Sequence, residues 1–205
     1  PEEQVRERVL SVIAKFETNA SSALIEKTSV LLKNDPSIAV QMQAATTLAK
    51  LGAGEQVFPS LMSWLNSTNS QIRISALMMV KEIAPYLKIP FDTMPLLDAL
   101  EDSSAPVRRA SALALANFAD ITVSKALITH LNDPDEAVRG AAAEALRQRG
   151  DESRKLVLEI FETDNPAIDS ALDALAAGNA KSLASLGPFA ERAIIRARIL
   201  RNPDA

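Results

Sequence analysis

The feature that most constrains what this chain can fold into is an internal period of about 30 to 35 residues. Its clearest copy, Asp133-Pro134-Asp135-Glu136-Ala137-Val138-Arg139-Gly140-Ala141-Ala142-Ala143-Glu144-Ala145-Leu146, sets an aliphatic residue before an arginine. Small residues follow four and five positions later, and an aliphatic one eight later. Asp35-Pro36 with Val40, Ala44, Ala45 and Leu48 repeats the pattern. So do Ile72-Arg73 with Ala76, Leu77 and Val80, and Val107-Arg108 with Ser111, Ala112 and Leu115. Weaker copies begin at Val5-Arg6, with Val9 and Ile13, and at Ile168-Asp169, with Leu172 and Ala176.

Positions i, i+4 and i+8 share one stripe of an α-helix, so each copy predicts an amphipathic first helix whose small residues admit a close neighbour. We call these the A helices. A second apolar stretch follows each: Leu24 to Leu32, Val57 to Leu65, Met94 to Leu100, Val123 to Leu131 and Leu156 to Phe161 predict five B helices. Asp133 is positioned to cap the next helix, with Pro134 in its first turn and Glu136 at capping-box spacing; Asp35-Pro36 and Asn165-Pro166 carry similar start signals. Gly52, Gly54 and Gly150 fall where A helices should close. A lone hairpin cannot cover its apolar face, so hairpins must stack. The expected fold is all-α: one domain, a right-handed α-α superhelix of about six hairpins, with units near 1–34, 35–66, 67–101, 102–132, 133–163 and 164–205. The A helices are expected on the convex side and the B helices on the concave side. Gly178-Asn179 and Gly187-Pro188 break the last unit, which reads as a C-terminal cap ending in a helix near Phe189 to Leu200.

Composition narrows the function. Hydrophobic residues make up 47% of the chain but aromatic ones only 4%, which suits closely packed helices better than a β-sandwich. A net charge of -4 argues against general binding to nucleic acid or anionic membrane, which requires a positive surface. There is no cysteine, hence no disulfide, thiolate metal site or cysteine nucleophile. The longest apolar runs, such as Ser75 to Val80, are far too short to span a bilayer. A cytoplasmic location is expected, and Pro1-Glu2-Glu3 in place of a starting Met is expected of a piece of a longer polypeptide.

The Asp-Pro turn, the Val-Arg pair and the alanine-rich helix after it resemble a HEAT repeat, in particular the short variety found in phycobilisome-lyase-type HEAT proteins. The resemblance covers nearly the whole chain. It implies a structural ladder between stacked repeats made by Asp102, Arg108, Asp133 and Arg139, interrupted towards its ends where Gln41 and Asp169 replace the arginine and Ser67 replaces the aspartate. It implies a scaffold, adaptor or regulatory subunit in most cases, while a few such proteins attach bilins, excise damaged bases or hydroxylate using iron.

Motifs for chemistry are sparse. His130 is the only histidine, so a histidine-based metal site would need several carboxylates; a packed B-helix residue is the competing reading. Gly52-Ala53-Gly54 lacks the remainder of a phosphate loop and reads as a turn. Seven carboxylates between Asp151 and Asp173 face only Arg154 and Lys155, forming either a solvated ridge or a patch for a basic segment. The last helix gathers Arg192, Arg196, Arg198 and Arg201, which suit a helix C-terminus or dock an acidic surface. Trp64 is either core or an anchor in the concave groove. Met78, Met79 and Met94 read as gap fillers.

The expected function is therefore a non-catalytic protein-binding scaffold or adaptor, without cofactor, metal or catalytic residue. It would grip a peptide or domain on a concave face containing Trp64, Asp98, Thr129, His130 and Glu159. The alternatives are a lyase-like protein acting on a bound chromophore or nucleobase, and a structural or dimerisation domain whose broken last unit leaves an apolar end open to a second copy.

Overall fold

The computed structural model describes residues 2–15, 21–87 and 91–149. Gly150, the fifth B helix with Glu159, the acidic stretch 151–173, the sixth unit and Arg192, Arg196, Arg198 and Arg201 lie outside the described residues. Among the described residues, every regular element is helical. The architecture is an all-α helical repeat.

The A helices are α1 (Glu3–Ile13), α3 (Ile38–Lys50), α5 (Ser70–Ile83), α7 (Ala105–Leu115) and α9 (Glu136–Gln148). The B helices are α2 (Ser22–Asn34), α4 (Phe58–Leu65), α6 (Met94–Leu100) and α8 (Ile121–Thr129). The chain divides into two compact units, Pro1–Pro95 and Leu96–Ala205. In the first, α1 and α2 pack on α3, and α5 packs on α3 and α4; in the second, α9 packs on α7 and α8.

The period explains this packing. The anchors Val40, Val107 and Val138 are completely buried and Ile72 is partly exposed, while Ala44, Ala76, Ser111 and Ala142, each four residues after its anchor, are all completely buried. Small side chains there bring the neighbouring backbones close: Thr47 Oγ1 bonds the Gln43 carbonyl at 2.8 Å and also the Leu10 carbonyl of α1 at 3.2 Å. The first copy departs from the pattern. Helix α1 buries Leu10 against α3, whereas Val5 and Val9 remain 49% and 52% exposed because no described helix covers that stripe.

The helix starts correct the expected capping. The N-cap of α9 is Asp135, whose side chain accepts from the N–H groups of Ala137 and Val138, so Pro134 precedes the helix and Glu136 opens it, outside any capping box. Asp133 instead accepts from the Asp135 N–H at 2.9 Å. The same offset recurs at Asp35 with Ser37, at Ser67 with Asn69 and at Asp102 with Ser104. The physical reason is competition: the carboxylates of Asp35 and Asp133 are also required by an arginine of the preceding A helix.

Two glycines differ in purpose. Gly52 has a φ of 81° and closes α3, with its N–H on the Ala49 carbonyl and that of Ala53 on the Leu48 carbonyl, a Schellman arrangement. Gly54 is no helix terminator; a Cβ there would lie 2.9 Å from Leu87 Cδ2, so it is small because Leu87 packs on it. Gly140, by contrast, sits in the middle of α9 with open space around it. Replacing Gly140 with Ala should raise unfolding free energy by about 0.5–1 kcal/mol. Replacing Gly52 with Ala should lower it by about 1–2 kcal/mol, and urea titration of both variants checks the pair.

Candidate functional site

The most organised polar structure is the turn before each A helix. In unit one, Arg6 of α1 reaches Asp35 with two hydrogen bonds of 2.7 and 2.9 Å; in unit two, Arg108 of α7 reaches Asp133 with two of 2.8 Å. The residue after the anchor also reaches back six positions: Arg73 Nη1 donates to the Ser67 carbonyl, Arg108 Nη1 to that of Asp102 and Arg139 Nη1 to that of Asp133, at 2.7–2.9 Å. Gln41 performs this second task at 2.6 Å on the Asp35 carbonyl, so its side chain preserves the clamp at its own turn.

These bonds set the electrostatics. Hydrogen bonding from Arg6 holds the Asp35 carboxyl below its usual range, outweighing its burial, with help from the Ser37 N–H. Burial pushes the Asp133 carboxyl up, but the Arg108 hydrogen bonds, the Asp135 N–H and the arginine charge together bring it below the usual range.

The expected surface residues fall into separate classes. Trp64 is only 6% exposed, so it belongs to the core of its hairpin and cannot anchor a partner. His130 is 7% exposed; its Nδ1 and Nε2 each lie 2.9 Å from a carbonyl oxygen, of Ala126 and of Leu100. Carbonyls only accept, so an N–H donates to one of them, and the second contact becomes a hydrogen bond only when both ring nitrogens carry protons. Glu101 Oε1 stands 3.6 Å from Nε2. With both nitrogens facing backbone carbonyls inside the hairpin, the ring ties the C-terminal end of α6 to α8. Asp98 on α6 and Thr129 on α8 are exposed. Among the described residues, no three His, Asp or Glu side chains converge to hold a metal, and no helix is long and apolar enough to cross a membrane.

The residues missed from sequence lie on the A helices. Between α3 and α5 runs an open groove of about 580 Å³, lined by Ala39, Met42, Gln43 and Thr46 on one side and Ser75, Met78, Met79, Lys81 and Glu82 on the other. Ala39, Met42, Gln43 and Thr46, and likewise Ser75, Met78, Met79 and Glu82, are spaced i, i+3, i+4, i+7 along their helices. Met78 is 44% exposed and Met94 55%, so neither fills a core gap, whereas Met79 is buried. Lys50 Nζ meets Glu82 Oε1 at 2.7 Å and lies 5.7 Å from the centre of the Tyr86 ring, fixing one end of the groove.

Comparison with known proteins agrees with this geometry. Residues 93–176 match the family model described as HEAT repeats. That stretch carries HEAT repeats. Its fold is similar to that of a chain in the complex of CpcE and CpcF of phycocyanin lyase from Nostoc sp. PCC7120, with a TM-score of 0.52 and 18% identity over 96% of this chain and 83% of that one. It is also similar to a chain solved for the structural basis of microtubule plus end tracking by XMAP215, CLIP-170 and EB1, with a TM-score of 0.50 and 19% identity over 83% of this chain and 80% of that one. Identities this low bear on the fold alone. No curated protein matches the sequence significantly. The HEAT fold is, in general, a helical-repeat scaffold.

The HEAT turn makes a testable demand on stability. Replacing Arg108 with Gln strands the Asp133 carboxylate and should cost about 2–3 kcal/mol at neutral pH, between the values for exposed and buried pairs. Because the folded chain holds these carboxyls low, their contribution is complete above the usual carboxylate range and is lost as the pH falls through their depressed values. Urea melts from pH 7 down should therefore show a shallower acid limb in the variant below pH about 4; an unchanged limb would remove the pair from its cause.

Proposed function

We propose that this chain is a non-catalytic protein-binding scaffold, with a cytoplasmic setting and a peptide or protein domain as its partner. The observation that carries the reading is the preformed groove between α3 and α5, which offers methionine side chains at its surface without a catalytic cluster beside it. Methionine adapts its shape at low cost, and two helices lying side by side present a trough that suits the apolar face of an amphipathic partner helix. Because the walls are already held by the turn clamps and by Lys50 and Glu82, binding sacrifices little additional order.

This reading moves the binding surface from the B helices to the A helices. Asp98 and Thr129 remain exposed B-helix positions in the second unit and serve as the comparison surface. A photo-crosslinking residue at Met78 should capture one stoichiometric protein partner in cells of the source organism, and Met42→Glu should weaken that capture about tenfold or more by placing a charge in the trough. Capture from Thr129 but not from Met78 would return the site to the B helices. Absence of a stoichiometric adduct from both positions would remove the scaffold reading.

A further inference from the structure

We propose that the joint between α3 and α5 is a hinge: the hairpin of α4 and α5 swings about the C-terminal ends of α3 and α5, and the groove widens at their N-terminal ends. The repeat supplies the comparison, because the joint one step earlier is tied at three places that have no counterpart here.

Between α1 and α3, Arg6 grips Asp35, Ser37 Oγ donates to Glu3 Oε1 at 2.6 Å, and Thr47 Oγ1 donates to the Leu10 carbonyl at 3.2 Å. In the register set by Val5, Val40 and Ile72, the matching residues between α3 and α5 are Gln41 with Ser67, Ile38 with Asn69, and Met79. Their polar groups are spent inside their own repeats. Gln41 donates its amide to the Asp35 carbonyl, Ser67 Oγ accepts from the Asn69 N–H, and Asn69 Oδ1 accepts from the Gln71 N–H. Ile38 offers no acceptor and Met79 no donor. Arginine and aspartate are replaced together at this one joint, so no half-buried charge is stranded and no charged pair crosses from α3 to the turn before α5.

The opposite ends are held. Lys50 Nζ meets Glu82 Oε1 at 2.7 Å and lies 5.7 Å from the centre of the Tyr86 ring, and Leu87 packs on Gly54 just beyond α3. The chain itself adds to this, since α3 runs through Gly52 into the short helix Gly54–Val57 at that same end. The moving body is coherent, because Arg73 Nη1 clamps the Ser67 carbonyl at 2.7 Å and keeps the turn with α5. What varies is the angle between two ordered walls, absorbed by a few residues at the tied end. This goes beyond the binding reading: the free chain opens and closes with nothing in the groove, and an occupant shifts a balance that exists without it.

Spin labels on the free, full chain test the hinge, and with no native cysteine an introduced pair is labelled cleanly. Ala39→Cys and Gln71→Cys are exposed positions matched in register at the untied ends, and dipolar broadening reads the spread of distances between them. Gln41→Arg with Ser67→Asp rebuilds the missing pair on the pattern of Arg6 and Asp35, and should narrow that spread by about half. In urea the double exchange should stabilise the chain beyond the sum of the single exchanges, the sign that the new pair has formed. A native spread no broader than that of the rebuilt chain, or an absence of coupling between the two exchanges, would each overturn the proposal. No partner enters the measurement, so failure of the capture at Met78 and failure of the hinge are distinguishable.

Discussion

The structure depends on a carboxylate that must not be left alone. Asp35 and Asp133 are 6% and 8% exposed, and a charge withdrawn that far from water is tolerable only when its lone pairs are met. Each is met twice, by a turn N–H two residues later and by a two-pronged arginine from the preceding A helix. The arginine thereby fixes where the next helix can begin. The residue after the next anchor then reaches back to the carbonyl of the same turn, and the phase of one helix is passed to the one that follows.

The same mutual bonding runs through the buried polar groups. Among the described residues its buried polar side-chain atoms all have partners, so none is held in reserve for a substrate. His130 illustrates the point: both of its ring nitrogens face backbone carbonyls. The A helices bury the anchor stripe and turn another face outward, and where α3 and α5 lie side by side those outward faces form a trough floored by flexible side chains.

Much of this was legible in the sequence, because the period that specifies a stack is written in residue type. The anchors at Val40, Val107 and Val138, the small residues after them, and the alternation of A and B helices followed from helical spacing and side-chain volume alone. The pairing of Arg108 with Asp133 was implied by the resemblance to HEAT repeats. The matching pair of Arg6 with Asp35 was not, since Gln41 suggested an interruption. Amide and guanidinium both donate to a carbonyl, and so the substitution cost one half of the clamp and spared the other.

The sequence by itself determined that helices form, which stripe of each is buried and where the turns fall, since these depend on local periodicity and on the chemistry of Gly, Pro and Asp. Tertiary structure alone decided which aspartate caps a helix and which pairs with arginine. It also decided that Trp64 and His130 lie inside while Met78 lies outside, and that no described helix covers Val5 and Val9. The reason is that exposure belongs to a pair of surfaces: a stripe reads the same whether or not a neighbour arrives to cover it.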